Sequence, residues 1–210
     1  MFPPDIAIST SSIMPSSEGA LLDTNVLVPG SLRYTLLYTA AECLYRPFLS
    51  EDILAELYGT LIRIGMDNAQ ALQVLTLFRQ RFPEALVTDY HDLIPLLTNQ
   101  QNDRHILAAA VKAHAQFIVT NNLRDFPPAS LAPFEIEALF PNDFLNYLYD
   151  SNREGIINAL IKQASDLRRS PRPLAKVLDA LEKHAPLFVS RVRPLCGLER
   201  DYKSKGQSSS

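Results

Sequence analysis

The 210-residue chain is 47% hydrophobic and 20% charged, with a formal net charge of −3, a balance that fits a soluble globular protein and excludes a disordered or fibrous one. Two cysteines, Cys43 and Cys196, are too few for a disulfide framework and have no partner at metal-ligand spacing, so both read as inert thiols in a reducing compartment. No apolar run approaches the ~18 residues of a membrane span, and the opening MFPPDIAISTSSIMPSSEG lacks the basic and apolar regions of a signal peptide, so a cytoplasmic protein is expected.

In chain order, residues 1–18 are rich in Ser and Pro without periodicity and read as a flexible arm. Ala20-Leu21-Leu22-Asp23 begins the ordered part as a buried strand. Residues 31–45 place Leu32, Leu36, Leu37, Ala40, Ala41 and Leu44 at helical spacing. Arg46-Pro47-Phe48-Leu49 is a second strand, and Ser50 caps a helix with two first-turn acids, Glu51 and Asp52, that ends near Ile64 at Gly65. Asp67 opens another helix, closed by Pro83, and Ala85-Leu86-Val87 is a third strand. Asn102 caps a helix through His114, Gln116-Phe117-Ile118-Val119 is a fourth strand, and Phe134-Glu135-Ile136-Glu137-Ala138 alternates like an edge strand. From Pro141 only helical patterns remain, with Leu174, Val177, Leu178 and Leu181 on one face.

Strands alternating with helices predict an α/β fold, a central and mostly parallel sheet between helical layers, with an α-helical C-terminal extension. The expected divisions are 1–18, 19–140, 141–200 and a disordered tail at 201–210. In such sheets ligands sit at the carboxyl ends of the strands, near the point where strand order reverses. Asp23 ends the first strand there, and Thr120-Asn121-Asn122 ends the fourth.

Charge is unevenly spread. Residues 1–150 carry 8 Lys+Arg against 17 Asp+Glu, and residues 151–210 carry 12 against 6. An acidic working half beside a basic half that meets polyanions is one reading, and a solvated helical surface is the other.

Four acids stand apart. Asp23 follows an apolar strand directly, where an unpartnered charge is costly. Glu56 has Ile53 and Thr60 as its helical neighbours and is expected on the buried face. Asp103 precedes Ile106 and Leu107 at a helix start and points inward, unless it only serves first-turn N–H groups. Asp125 follows the Thr-Asn-Asn turn, unless it is merely a turn residue. Together they would converge on one end of the sheet. Carboxylates ~5 Å apart repel by roughly 3 kcal/mol at an effective dielectric of about 20, so a cluster protonates in part or recruits a hard cation such as Mg2+ or Mn2+. Zinc is disfavoured because no His or Cys falls at ligand spacing, and His105 and His114 read as ordinary surface or core residues. No GxGxxG, Walker A, GxSxG or HExxH motif is present.

Leu21-Leu22-Asp23-Thr24-Asn25-Val26-Leu27 resembles the opening motif of PIN domains. Ile53-Leu54-Ala55-Glu56-Leu57 resembles their second acidic segment, Asp103-Arg104-His105-Ile106-Leu107-Ala108-Ala109-Ala110 the third, and Val119-Thr120-Asn121-Asn122-Leu123-Arg124-Asp125-Phe126-Pro127 the fourth, in register over residues 20–140. The resemblance implies a PIN-like fold and a metal-dependent endoribonuclease, often the VapC-type toxin of a toxin–antitoxin pair. It implies that Asp23, Glu56, Asp103 and Asp125 hold Mg2+, with Asn25, Thr120 and Asn122 orienting them. Many family members have an acid two residues after the threonine, where this chain has Asn122, so Asp125 or Asn122 completes the site. Expected partners are RNA, a cognate antitoxin and a second copy of the chain, with the helix at 31–45 contributing to the dimer; no membrane partner is expected. Residues 141–200 resemble the helical extension of a longer subgroup, in which Arg168, Arg169, Arg172, Lys176, Arg191 and Arg193 either contact RNA phosphates or solvate packed helices. Two readings compete: an inactive PIN-like module that binds protein or RNA, and a phosphotransfer domain, which wants an Asp where Asn25 stands.

Overall fold

A computed structural model describes residues 18–166 and 173–197. The N-terminal arm through residue 17, the run holding Arg168, Arg169 and Arg172, and the tail at 201–210 fall outside the described residues. Five short strands, β1 (Gly19–Leu22), β2 (Arg46–Ser50), β3 (Leu86–Val87), β4 (Phe117–Val119) and β5 (Glu137–Leu139), form one sheet in the order β3-β2-β1-β4-β5. Every pairing is parallel, with Leu21 opposite Phe48 on one side and Ile118 on the other. A parallel sheet needs cover on both faces, which explains why β1 reads as an unbroken apolar run and is buried throughout. Gly19 lets β1 approach its neighbour closely, since a Cβ there would lie 2.3 Å from the Phe48 ring.

The crossovers carry the helices. The first two, with α1 (Thr24–Leu27), α2 (Gly30–Ala41), α3 (Glu51–Arg63) and α4 (Asn68–Arg81), step outward from β1 to β3. The next, with α5 (Arg104–Lys112), returns past β1 to β4, and α6 (Pro128–Leu131) precedes β5. Because such crossovers are right-handed, reversing direction puts the later helices on the opposite face, giving three α/β/α layers.

Local chemistry sets most boundaries. Ser50 Oγ accepts from Ile53 N at 3.2 Å, Asp67 caps α4 through Gln70 N at 2.9 Å, and Gly65 stops α3 with φ 95°. Three expectations need correcting. The helix at 31–45 spans only Gly30–Ala41, because Cys43 turns left-handed at φ 58° and Leu44 is buried from the connecting loop instead. Asn102 does not cap α5; a 3₁₀ turn over Gln101–Asp103 comes first, and Asp103 holds the cap position without a side-chain bond. The last strand is Glu137–Leu139, since Ala132–Phe134 forms a 3₁₀ turn and Glu135 is left-handed at φ 56°.

The extension contains α7 (Pro141–Ser151), α8 (Arg153–Ser165), α9 (Pro173–Leu181) and α10 (Pro186–Val192). Phe144 from α7 meets Tyr45 edge-on at 5.0 Å and Phe117 at 5.7 Å between ring centroids. Helix α8 lies on α2, where Thr35 Oγ1 donates to Gln163 Oε1 at 2.9 Å, Tyr38 bonds Asp166, and Lys162 pairs with the buried Glu42. Much of α2 is therefore covered by the chain's own extension. Among the described residues no helix is long and apolar enough to cross a membrane.

Candidate active site

Strand order reverses between β1 and β4, so the crevice of this sheet lies where those two strands end. Asp23 follows β1 and Thr120 follows β4. Asp23 N donates to Val119 O at 3.1 Å, and Thr120 Oγ1 donates to Asp23 Oδ2 at 2.6 Å. The Thr120 hydroxyl in turn accepts from Asn25 Nδ2 and from Asn122 N, both at 3.0 Å. Asn25 Nδ2 also donates to Asp23 Oδ2, and Asn25 Oδ1 accepts from Asn121 N at 2.8 Å. One hydroxyl thus ties the two strand ends together and fixes the Asp23 carboxylate. Asp23 is 4% exposed. Burial raises its pKa above the ordinary aspartate value, against the opposing pull of the bonds from Thr120 and Asn25.

Asp103 approaches from the start of α5, half-buried, with no capping bond to occupy its carboxylate. Its pKa is pushed up to about 6, first by burial, then by the charges of Asp125 and Asp23. Asp125 lies in the 3₁₀ turn Leu123–Asp125, where Asn122 Nδ2 donates to its carboxylate. The turn is held to the loop before α5 by Gln100 N donating to Asp125 O at 3.2 Å.

Glu56 departs from expectation. It is exposed rather than on the buried face of α3, yet its carboxylate reaches back to the site and accepts from Thr24 Oγ1 at 2.8 Å. His105 Nε2 lies 3.4 Å from the other carboxylate oxygen. Nδ1 of His105 is 2.9 Å from Asn102 O; a carbonyl only accepts, so this nitrogen carries a proton, and Nε2 faces Glu56 as a donor only in the imidazolium. Burial opposes that charge, but Glu56, the Asn102 carbonyl and the charge of Asp52 together raise the pKa of His105. The imidazole beside Glu56, together with Thr24, holds the carboxyl of Glu56 below its usual value against the effect of burial. His105, which the sequence alone reads as an ordinary surface or core residue, is instead held between Glu56 and the Asn102 carbonyl; its signal is a place in the first turn of α5, two residues after Asp103. His114 lies at the other end of α5, exposed and left-handed at φ 52°.

All four predicted acids therefore meet at one end of the sheet. Among the described residues, however, no three His, Cys, Asp or Glu side chains stand close enough to hold an ion between them. The donor set still suits Mg2+. It is all carboxylate oxygen, and Mg2+ keeps several waters and takes one or two carboxylates plus substrate phosphate rather than a protein cage. The mutual repulsion that raises Asp103 is what a cation in the crevice would relieve.

The family described as PIN domain matches residues 19–124, and that described as VapC50 C-terminal domain matches residues 141–194. The chain belongs to the PIN-domain family, in the form that carries this helical C-terminal region. It is 40% identical over 114 residues to a protein of Mycobacterium tuberculosis (strain ATCC 25618 / H37Rv) described as "Putative ribonuclease VapC50". That match covers 53% of this chain and 66% of the relative, just under two thirds of its length. No solved structure matches the chain.

Proposed function

We propose that this protein is an Mg2+-dependent endoribonuclease of the VapC type, the toxin of a toxin–antitoxin pair. The observation that carries the reading is the junction at the switch point. Asp23 is fixed across it by Thr120, and the uncapped Asp103 lies within the field of Asp23 and Asp125. The ribonuclease description of the mycobacterial relative supports the same chemistry. Asp23 and Asp103 would hold Mg2+, or Mn2+ in its place, with Asp125 and Glu56 completing the acidic wall. When bound, the cation supplies an activated water and neutralises charge on the phosphodiester. Thr120 and Asn25 oppose the effect of burial on Asp23 and fix its carboxylate, Thr24 orients Glu56, and Asn122 orients Asp125. The cognate antitoxin and a second copy of the chain are the expected protein partners. The cytoplasm is the expected location, in keeping with two free cysteines.

An inactive PIN-like module that binds protein or RNA is the alternative, favoured by the engagement of Glu56 with His105 and of Asp125 with Asn122. The test incubates the purified chain, freed of co-purified partner, with labelled single-stranded RNA in Mg2+ or in EDTA, beside Asp23→Asn and Asp103→Asn. Cleavage that needs the metal and vanishes in both variants is expected. RNA left intact, with no heat of Mn2+ binding by calorimetry, would hand the case to the inactive module.

A further inference from the structure

One aromatic group at this edge of the sheet has no part in the chemistry above. After β3 the chain turns through Asp89, left-handed at φ 57°, into Tyr90 and His91. Tyr90 is buried, and its hydroxyl donates to Asp52 Oδ2 at 2.6 Å. His91 Nε2 lies 3.1 Å from that same oxygen. The imidazole is stacked on the Tyr90 ring, with centroids 4.4 Å apart and planes 21° apart. One face is covered and one edge is held, yet the side chain is 64% exposed. The result is a flat ring fixed in place with its other face open.

The ring stands at the same edge of the sheet as the acids. It lies beyond Thr88, Asp89 and Tyr90 after β3, at the carboxyl edge of the parallel sheet where Asp23 directly follows β1, and β3 and β1 themselves stand two strand spacings, about 10 Å, apart. Its anchor Asp52 stands one helical turn before Glu56 on α3, and the charge of His105 reaches both acids. The chemistry around it selects the ligand. Asp52, Asp89 and Asp92 are neighbours in the chain or in contact, so a phosphate would be repelled, whereas an uncharged base would not. Unpaired bases of single-stranded RNA stack on aromatic side chains, histidine among them. A ring already immobilised loses little freedom on binding.

We propose that His91 is a stacking platform for the base of a nucleotide flanking the scissile phosphate, and so a substrate-positioning residue that favours single-stranded RNA. The proposal rests on the nuclease reading. The test first maps the cut made by the wild-type chain in Mg2+ on a labelled single-stranded RNA of mixed sequence. His91→Ala and His91→Phe are then compared on that RNA and on versions made abasic at each nucleotide flanking the cut. His91→Ala is expected to raise KM about 5- to 150-fold, the range for losing one stacked base, with kcat little changed, while His91→Phe stays near wild type. At one flanking position the abasic RNA should raise the wild-type KM to that of His91→Ala and add nothing to the variant. Unchanged KM in His91→Ala overturns the proposal. So does a penalty that persists on every abasic RNA, or a His91→Phe as poor as His91→Ala in a fold that thermal unfolding shows intact. Wild-type protein that leaves RNA uncut in Mg2+ would overturn the nuclease reading itself, and this proposal with it.

Discussion

Thr120 is where residue chemistry and topology meet, because one hydroxyl donates to Asp23 and accepts from Asn25 and Asn122 across the strand reversal. Replacing it by Val removes a hydrogen bond to a charged group, an effect of about 1.5–3 kcal/mol. Thr120→Val should therefore weaken Mg2+ binding and cleavage about 10- to 100-fold, while Thr120→Ser retains most of both; calorimetric titration beside RNA cleavage checks this. Asp103 makes an opposite prediction about stability. An acid whose pKa is raised on folding costs stability once it ionises, fully above about 6 and not at all below its ordinary value near 3.8. In EDTA, Asp103→Asn should melt at a higher temperature than wild type at pH 7.5, with the gain shrinking between pH 6 and pH 4. A gain that grows on acidification would contradict the assignment. Asp23 and Asp103 were legible in the sequence because each is a charge set against an apolar run. His105 was not, because its value depends on how α5 meets α3, and no spacing within either helix encodes that contact.

At the scale of elements, boundaries marked by side-chain caps or a left-handed glycine were readable: Ser50, Asp67 and Gly65 act as their chemistry requires. Boundaries set by packing were not. The apolar period of α2 runs on through Leu44, but Leu44 is buried from a loop, after a turn at Cys43 that no residue type announced. Asn102 looked like a cap, yet the 3₁₀ turn before α5 leaves Asp103 in that place with its carboxylate free. Strand β1 offers a direct test of how closely its neighbours approach. A Cβ at Gly19 would press on the Phe48 ring at 2.3 Å, and the ring is itself buried. Gly19→Ala should lower unfolding stability by about 1–3 kcal/mol, the usual cost of overpacking. Cleavage per folded molecule should hold, since Asp23 lies at the other end of the strand. Denaturant unfolding beside an activity titration separates the two effects.

Across the whole molecule, the extension behaves as cover for the catalytic layers rather than as an appendage. Its described arginines are largely spent within it. Arg191 pairs with Asp150 and lies over the Tyr149 ring at 4.5 Å, and Arg193 sits 2.8 Å from Asp179. At these two positions the ion pairs favour the solvated-helix reading of the basic balance over the phosphate-contact reading. Arg191→Ala with Arg193→Ala should leave the salt dependence of RNA binding unchanged, where loss of two phosphate contacts would flatten it. Deeper in, Leu160 of α8 is fully buried and belongs to the same continuous apolar core as Leu22 of β1. If α2 depends on α8 for its outer cover, the two halves of the chain cannot unfold separately. Leu160→Ala should then cost about 2–5 kcal/mol and shift one transition, seen at the same midpoint by calorimetry, by far-UV dichroism and by the loss of metal-dependent cleavage. Two transitions, with cleavage surviving the first, would make the extension an independent domain and return α2 to the list of surfaces open to a partner.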